Sequence, residues 1–113
     1  MHIMDLTSKS EEAAALMALL ANAHRLRILC ALQMGEQSVS ALEEVVDLSQ
    51  SALSQHLAKL RAAKIVSTRR EAQTIYYAIA DDRVGQVLAL LVKLYCHGEK
   101  QVRATRRKRR ISR

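Results

Sequence analysis

The feature that most restricts the fold of this chain is that the spacing of its apolar residues changes twice along the sequence. Before Lys64, apolar side chains recur at the three- and four-residue intervals of amphipathic helices. From Ile65 to Ile79 they alternate and are rich in Val, Ile, Thr and Tyr, which predicts two strands. Helical spacing returns at about Asp82. The pattern predicts a mainly α-helical domain with one β-hairpin near its C-terminal end.

Two helices are predicted in the first third of the chain. After an irregular segment over residues 1–9, Ser10 is expected to cap the first helix, which begins with two glutamates. Asn22 is expected to cap the second, which covers Ala23 to about Met34. Gly35 then ends that helix. The absence of Pro and the presence of only three Gly support this helical interpretation.

A third and a fourth helix follow in close succession. The third begins at Ser38 or Ser40, and the tetrapeptide that ends at Glu43 fits a capping box. Its buried side is expected to consist of Leu42, Val45 and Val46. After a tight break, Ser49 caps the fourth helix, which runs to about Ala63. Two helices with such a short connection match a helix-turn-helix.

The hairpin and the last helix complete the predicted order α-α-α-α-β-β-α. The strands are expected over 65–70 and 73–79, with Glu71-Ala72 as the turn between them. This hairpin matches the wing of a winged helix-turn-helix. The last helix begins at Asp81 or Asp82, ends at about His97 and is apolar almost all round. Such a helix in so small a domain needs cover from a partner chain, which predicts a homodimer.

The charge of the chain is concentrated at one end. The net charge is +7, yet residues 1–98 carry ten basic and ten acidic residues, whereas residues 99–113 carry eight basic residues and one acidic residue. We therefore expect a domain over 1–98, followed by a flexible basic tail over 99–113. A tail of this kind binds phosphate without sequence preference.

The location of the protein can be inferred from its cysteines and apolar segments. Cys30 and Cys96 are too few for the disulfide framework of a secreted domain. No signal peptide is recognisable, and the apolar stretch over 84–95 is too short to span a bilayer. We expect a cytoplasmic protein without a membrane partner.

One face of the fourth helix has the composition of a surface that reads DNA bases. At about 100° per residue, three leucines anchor the helix to the domain, namely Leu53, Leu57 and Leu60. The opposite face is small, polar and free of acidic residues. Its members are Ser51, Gln55 and Ala58, flanked by Ser54 and Lys59. Short donors and acceptors reach base edges, and Gln can pair with adenine through two hydrogen bonds. A merely solvated face is the alternative, although such faces usually carry Glu and Lys.

Further candidates surround this face. His56 is expected either to contact phosphate or to pack against the domain, in preference to binding metal or catalysing a reaction. Arg69 and Arg70, near the hairpin turn, are expected to enter a minor groove or contact phosphate, unless the turn is simply solvated. The complete set of predicted DNA contacts is Gln50, Ser51, Ser54, Gln55, His56, Lys59, Arg61, Arg69 and Arg70.

Other functional classes are weakly supported. Ser54 and His56 lie two residues apart on one helix and point in different directions, so they do not form a catalytic pair with Asp47. The three glycines are scattered and form no phosphate-binding loop. We therefore expect neither an enzyme nor a cofactor. A dimerisation module that contacts only protein remains an alternative, and it predicts no salt-dependent DNA binding.

Several segments together resemble the ArsR/SmtB family of bacterial winged-helix repressors. They are Ala23–Leu26, Ile28-Leu29, Leu48–Arg61, Ile65-Val66 and Arg70–Tyr77. The resemblance extends from about Leu16 to Cys96. It implies a homodimer that represses transcription on a palindromic operator and leaves the DNA when an inducer binds.

The residues at the family's usual metal sites differ here. Ser38-Val39-Ser40 stands where one site has a Cys-x-Cys cluster, and serine is a poor substitute for thiolate. At the site on the last helix, Asp82 is followed by Val84, and Tyr95 stands where a histidine is expected. The comparison implies that neither usual metal site is present.

The placement of Cys30 and Cys96 resembles the sulfide- and redox-responsive branch of the family. That resemblance implies that a disulfide or polysulfide bridge between them releases DNA. From the residues alone, Cys30 can equally be a buried, inert thiol. Three alternatives stay open: a metal or metalloid sensor that uses both cysteines and His97, haem binding through the cysteines, and an activator that displaces a silencing protein from DNA.

Overall fold

The computed structural model describes residues 2–96. Its helices are α1 (Ile3–Ser8), α2 (Ser10–Leu20), α3 (Ala23–Gln33), α4 (Val39–Val45), α5 (Gln50–Ala62) and α6 (Asp82–Tyr95). Its strands are β1 (Gln37–Ser38), β2 (Val66–Glu71) and β3 (Thr74–Ile79). The mainly α-helical class with a hairpin before the last helix is confirmed. His97 and the basic segment over 99–113 lie outside the described residues.

Side-chain caps define the beginnings of three helices. The side-chain oxygens of Asn22, Ser38 and Ser49 each accept a hydrogen bond from the backbone N–H three residues later, at 3.0, 3.1 and 3.1 Å. The predicted caps Asn22 and Ser49 are therefore confirmed. Ser38 is the cap of α4, so the capping box that begins at Ser40 is wrong. One backbone donor at the helix start is satisfied in each case.

The N-terminal segment is more ordered than its sequence predicts. Residues 3–8 form α1, which has no buried residue and begins where His2 Nδ1 accepts a hydrogen bond from the N–H of Met4. Ser10 does not cap the next helix, because it is the first residue of α2 and its hydroxyl donates to the carbonyl of Thr7 at 2.9 Å. Local hydrogen bonds therefore determine the structure of this region, whose sequence has no apolar pattern.

The three strands form one antiparallel sheet in the order β1-β3-β2. The β2–β3 hairpin closes at the Glu71–Thr74 pair, so its turn is Ala72-Gln73, one residue later than predicted. The short β1, which the sequence pattern did not indicate, pairs Gln37 with Tyr77. The sheet joins the loop after α3 to the hairpin and fixes the start of α4 beside it.

The chain divides into two compact units, one ending at Asp81 and one beginning at Asp82. The core of the first consists of buried aliphatic side chains. They are Leu20, Ile28, Leu29, Leu32, Leu42, Val46, Leu53, Leu57, Leu60, Ile65 and Val66. Val45 does not join them and is 63% exposed, because α4 ends there and the next residue is extended. The prediction that Val45 is buried is wrong.

The described part of the second unit consists of α6 and Cys96. Val84 and Leu88 are its buried side chains. Its C-terminal half exposes large apolar side chains, namely Leu90, Val92, Leu94 and Tyr95. The predicted apolar character on several sides of the helix is thus present. An exposed apolar surface of this kind marks an interaction site more often than a solvated helix.

Within residues 2–96, no single helix has both the length and the apolar composition needed to cross a membrane. The bent pair formed by α2 and α3, whose axes differ by 90°, satisfies the same length and composition criteria. Three residues of α3 are core side chains of the first unit: Ile28, Leu29 and Leu32.

Replacing Ala72 with glycine is expected to stabilise the protein by up to about 1 kcal/mol. Ala72 has a φ of 58°, a left-handed conformation that a Cβ atom disfavours. Urea unfolding measures the change in the free energy of unfolding. Ala63→Gly is the matched control, because Ala63 has an ordinary φ of −85° and glycine there only adds freedom to the unfolded chain. Equal destabilisation by both variants would show that Ala72 is unstrained.

Candidate nucleic-acid interface

The predicted recognition helix α5 is attached to the first unit by one apolar edge. Leu53, Leu57 and Leu60 are at most 1% exposed, as the helical spacing predicted. A short break separates α4 from α5, with the N–H of Leu48 donating to the carbonyl of Val46 at 3.1 Å. Because the leucines fix the rotation of α5 about its axis, its opposite edge must face outward.

The outward edge of α5 is exposed and polar. The exposed residues are Gln50, Ser51, Ser54, Gln55, Ala58, Lys59 and Arg61. Within residues 2–96, the polar side chains of this set have no hydrogen-bond or ion-pair partner in the protein. Their donors and acceptors are therefore available to a ligand. The structure brings seven of the nine predicted DNA contacts onto one helix, since His56 also belongs to α5.

An open cleft of about 430 Å³ lies along one side of this helix. It is lined by Val39, Ser54, Leu57, Ala58, Arg61, Ala62 and Tyr77. Apolar atoms dominate the lining, and Arg61 is its charged member. The cleft therefore places a guanidinium beside the small residues of the candidate reading face.

His56 occupies the opposite side of α5 and is partly buried. Arg25 approaches it, with 3.4 Å between one guanidinium nitrogen and His56 Nδ1. Burial, together with the positive charge of Arg25, lowers the pKa of His56, and His24 and Lys59 lower it further. His56 is therefore a packed histidine that is neutral at pH 7, while its role in contacting phosphate stays a prediction.

Arg25 is a residue of the site whose role the sequence pattern did not reveal. It is 9% exposed, and its Nε donates to the carbonyl of Leu19 at 2.6 Å. A second guanidinium nitrogen donates to the carbonyl of Ala18 at 3.3 Å. These carbonyls belong to the last turn of α2, the negative end of that helix. Arg25 thus links the end of α2 to the recognition helix, and its sequence context does not distinguish it from Arg27, the exposed cation of the same helix.

The two arginines of the hairpin have different environments. Arg69 donates to both carboxylate oxygens of Glu36, at 2.7 and 2.9 Å, and to Glu71 at 2.9 Å. Its guanidinium also stacks 4.6 Å from the centre of the Tyr76 ring. These hydrogen bonds raise the pKa of Arg69 and lower the pKa of Glu36. Arg69 is therefore compensated by carboxylates, whereas Arg70 is exposed and has no such partner within the described chain.

Both cysteines are free and exposed. Cys30 lies on α3 but outside its buried edge, so within this chain it is not the buried thiol that was one of the two expectations. Cys96 directly follows α6. Across residues 2–96, no group of three or more His, Cys, Asp or Glu side chains is arranged to hold a metal ion. The described cysteines are therefore accessible thiols without a surrounding ligand set.

A comparison with protein families matches residues 22–68 to the family described as bacterial regulatory protein, arsR family. That segment contains α3, α4 and α5 and the beginning of β2. The match therefore falls on the same elements that build the candidate interface.

Individual relatives cover most of the chain. The transcriptional activator HlyU of Vibrio cholerae is 45% identical over 96 residues, which is 85% of this chain and 89% of HlyU. The nodulation protein NolR of Rhizobium meliloti is 52% identical over 86 residues, covering 76% of this chain and 70% of NolR.

Solved structures agree with these relationships. The crystal structure of the transcriptional repressor BigR from Xylella fastidiosa has a TM-score of 0.83 and 34% identity, and the match covers 87% of this chain and all of that one. Reduced HlyU from Vibrio cholerae has a TM-score of 0.76 at 45% identity, covering 82% of this chain and 98% of that one. These matches confirm the winged-helix fold. The chain belongs to the ArsR/SmtB family of bacterial transcriptional regulators, in the part of that family that resembles BigR and HlyU.

Proposed function

We propose that this regulator is a repressor that binds operator DNA as a homodimer and releases it when Cys30 and Cys96 become bridged. The observation that carries the proposal is that both thiols are free and exposed. An accessible thiol can react with a sulfur donor or an oxidant, which a buried thiol cannot readily do. The relationship to a repressor, BigR, supports the direction of regulation.

DNA recognition is assigned to the outward edge of α5. Its side chains are exposed, uncharged near the centre and without partners in the described protein. Arg61 and Lys59 stand on opposite sides of this edge, where they can contact the two phosphate strands that border a major groove. Arg70 is the hairpin cation that remains available for a phosphate, since Arg69 already has two carboxylate partners.

The homodimer is inferred from α6. Its exposed apolar side chains need cover, and a second copy of the same helix is the simplest partner for them. A two-fold dimer would hold two α5 helices about one DNA turn apart, roughly 34 Å. This spacing matches a palindromic operator.

The proposed switch has a balanced chemistry. An organic persulfide transfers its outer sulfur to one cysteine thiol and leaves as a thiol, giving a cysteine persulfide. The second cysteine thiol attacks the inner sulfur of that group, forms the disulfide and releases hydrogen sulfide. A longer polysulfide bridge forms when both cysteines carry added sulfur and hydrogen sulfide leaves. A coupling of about 1–3 kcal/mol would change DNA affinity roughly 5- to 150-fold.

The test measures operator binding of the reduced protein before and after treatment with an organic persulfide, using mass spectrometry on both samples. We expect lost binding together with a peptide that links Cys30 to Cys96. Cys30→Ser and Cys96→Ser variants should each bind the operator and ignore the persulfide. Unmodified cysteines with unchanged binding would overturn the switch. Release by stoichiometric Zn²⁺ or arsenite from the reduced protein would favour a metal or metalloid sensor instead.

An activator is the second candidate, because the relative HlyU is named a transcriptional activator. The same interface would then displace a silencing protein from DNA. A reporter gene controlled by the adjacent promoter separates the two candidates. Deleting this regulator should raise expression if it represses, and should lower expression only in the presence of the silencing protein if it activates.

A further inference from the structure

Five basic or imidazole side chains lie close together where side chains of α3 approach α5. We name this group the α3–α5 basic cluster: His24, Arg25, Arg27, His56 and Lys59. Arg25 is buried, His24 and His56 are partly buried, and the other two are exposed. The rings of His24 and His56 have centroids 5.8 Å apart. The cluster thus joins the helix before the helix-turn-helix to the predicted recognition helix.

The positive charge of this cluster is not compensated by carboxylates. Among residues 2–96, no member has an acidic partner, in contrast to Arg69 with its two glutamates. The titratable and charged groups that face His56 are Arg25 and His24 from α3 and Lys59 from α5, and all three lower its pKa. A concentration of cations and imidazoles without carboxylates is electrostatically complementary to an anion.

The hydrogen bonds within the cluster orient both imidazole rings. Arg27 contacts His24 Nδ1 at 3.4 Å, just as Arg25 contacts His56 Nδ1 at 3.4 Å. An arginine can only donate, so each Nδ1 is the acceptor and Nε2 is the ring nitrogen that carries a proton. Both rings therefore keep an N–H donor that the arginines do not use. Arg25 and Arg27 position these donors as long as each Nδ1 carries no proton.

The cluster borders the edge of α5 that is assigned to DNA. At about 100° per residue, Lys59 lies about 40° from Gln55 around the helix, and His56 lies further in the same direction. The phosphates of a major groove about 12 Å wide stand on both sides of an inserted helix. On the other side of α5, Arg61 can contact one phosphate strand. The cluster is placed to contact the opposite strand.

We propose that the α3–α5 basic cluster binds a phosphate of the DNA backbone, which extends the DNA interface from the helix-turn-helix to His24 and Arg27 of α3. This inference rests on the proposed DNA binding by α5. It adds a sequence-independent contact and a proton linkage to that function. A bound phosphate favours the charged form of His56, which burial and the neighbouring cations disfavour in the free protein.

The sign of the proton linkage follows from these charges. The pKa of His56 in the free protein lies below its usual 6.5, so the ring is neutral at neutral pH. A phosphate raises that pKa, and DNA binding must then take up protons at a pH between the free and bound values. Affinity for any DNA sequence should therefore increase as the pH falls from 7.5 towards 6.

The first test compares Arg27→Gln and His24→Gln with the wild type on operator and random-sequence duplexes at several salt concentrations. Arg27→Gln and His24→Gln should each weaken binding to both duplexes by the same factor, roughly 5- to 10-fold near 0.1 M salt. The slope of log K against log salt should become shallower by about 1 when the phosphate contact is lost. Lys9→Gln is the matched control, because Lys9 is an exposed cation paired with Glu12 and should leave the slope unchanged.

The second test measures binding by calorimetry near pH 6.5 in two buffers of different ionisation enthalpy. The wild type should take up protons on binding, whereas His56→Gln should take up fewer. Unchanged slopes and proton uptake, with operator binding intact, would overturn the inference and leave the proposed function standing. Failure of the wild type to bind either duplex would instead overturn DNA binding itself.

A third measurement separates DNA phosphate from a free anion. Inorganic phosphate is titrated into the DNA-free protein while the imidazole signals of His24 and His56 are followed by NMR. We expect only weak shifts at millimolar phosphate and large shifts with the duplex. The DNA contact is overturned if inorganic phosphate binds saturably and the variants have the same DNA salt slope as the wild type. That result would assign the cluster to a free oxyanion.

Discussion

Truncating Leu53 to alanine is expected to lower the free energy of unfolding by about 2–5 kcal/mol. Leu53 is 0% exposed and belongs to the edge of α5 that packs on the first unit, so the smaller side chain leaves a cavity. Because the same leucine fixes the rotation of α5, operator affinity should fall as well. Urea unfolding followed by circular dichroism measures the stability change, and anisotropy of a labelled duplex measures the affinity.

Val45→Ala is the control for this truncation. Val45 is an aliphatic residue at the end of α4 that is 63% exposed, and its truncation should change stability by less than about 0.5 kcal/mol. An equal loss in the two variants would indicate that Val45 is covered in the functional assembly or that Leu53 is not in a tightly packed core. The second of these explanations would contradict the burial on which the orientation of α5 depends.

The sequence was most informative where a long periodic segment carries its own structural signal. The leucines at 53, 57 and 60 share one edge of a 13-residue helix, so the position of the exposed edge followed from spacing alone. The hairpin was predicted for the same reason, although its turn lies one residue later because Glu71 still pairs with Thr74, and Ala72 has a positive φ. Strand spacing does not specify which residue takes the left-handed conformation when neither is glycine.

The sequence was least informative about contacts between distant residues. Arg69 was expected to be available to DNA, yet Glu36, 33 residues earlier, binds its guanidinium. Likewise Arg25 and His56 are 31 residues apart and belong to different helices. Spacing along one helix cannot reveal such pairs, since they depend on how α3, α5 and the sheet are placed by the whole fold. The exposure of Cys30 belongs to the same class, because an apolar neighbourhood in sequence does not determine which residues are covered.

Replacing Gln55 with alanine is expected to weaken operator binding by about 1–3 kcal/mol, or roughly 5- to 150-fold, with little change on random DNA. Gln55 lies near the centre of the exposed edge of α5, and its amide has no partner within the described chain. An amide of this kind can form two hydrogen bonds with adenine in the major groove. Competition anisotropy with operator and random-sequence duplexes measures both affinities under one salt condition.

Gln33→Ala is the matched control, since Gln33 is an exposed glutamine at the end of α3, outside the candidate interface. Operators in which single A·T pairs are replaced identify the base that Gln55 contacts. Replacing one particular A·T pair in each half-site should lower the affinity of the wild type. The same replacement should not lower the affinity of Gln55→Ala any further. This loss of additivity is a direct measure of the contact between side chain and base.

An equal loss on operator and random duplexes would show that Gln55 does not read bases. The comparison with Arg27→Gln makes the distinction sharper, because that variant is expected to weaken both duplexes equally and to reduce the salt slope. The two side chains would then perform separable tasks on one surface. Gln55 would determine which sequence is preferred, while the α3–α5 basic cluster would determine how strongly any duplex is held.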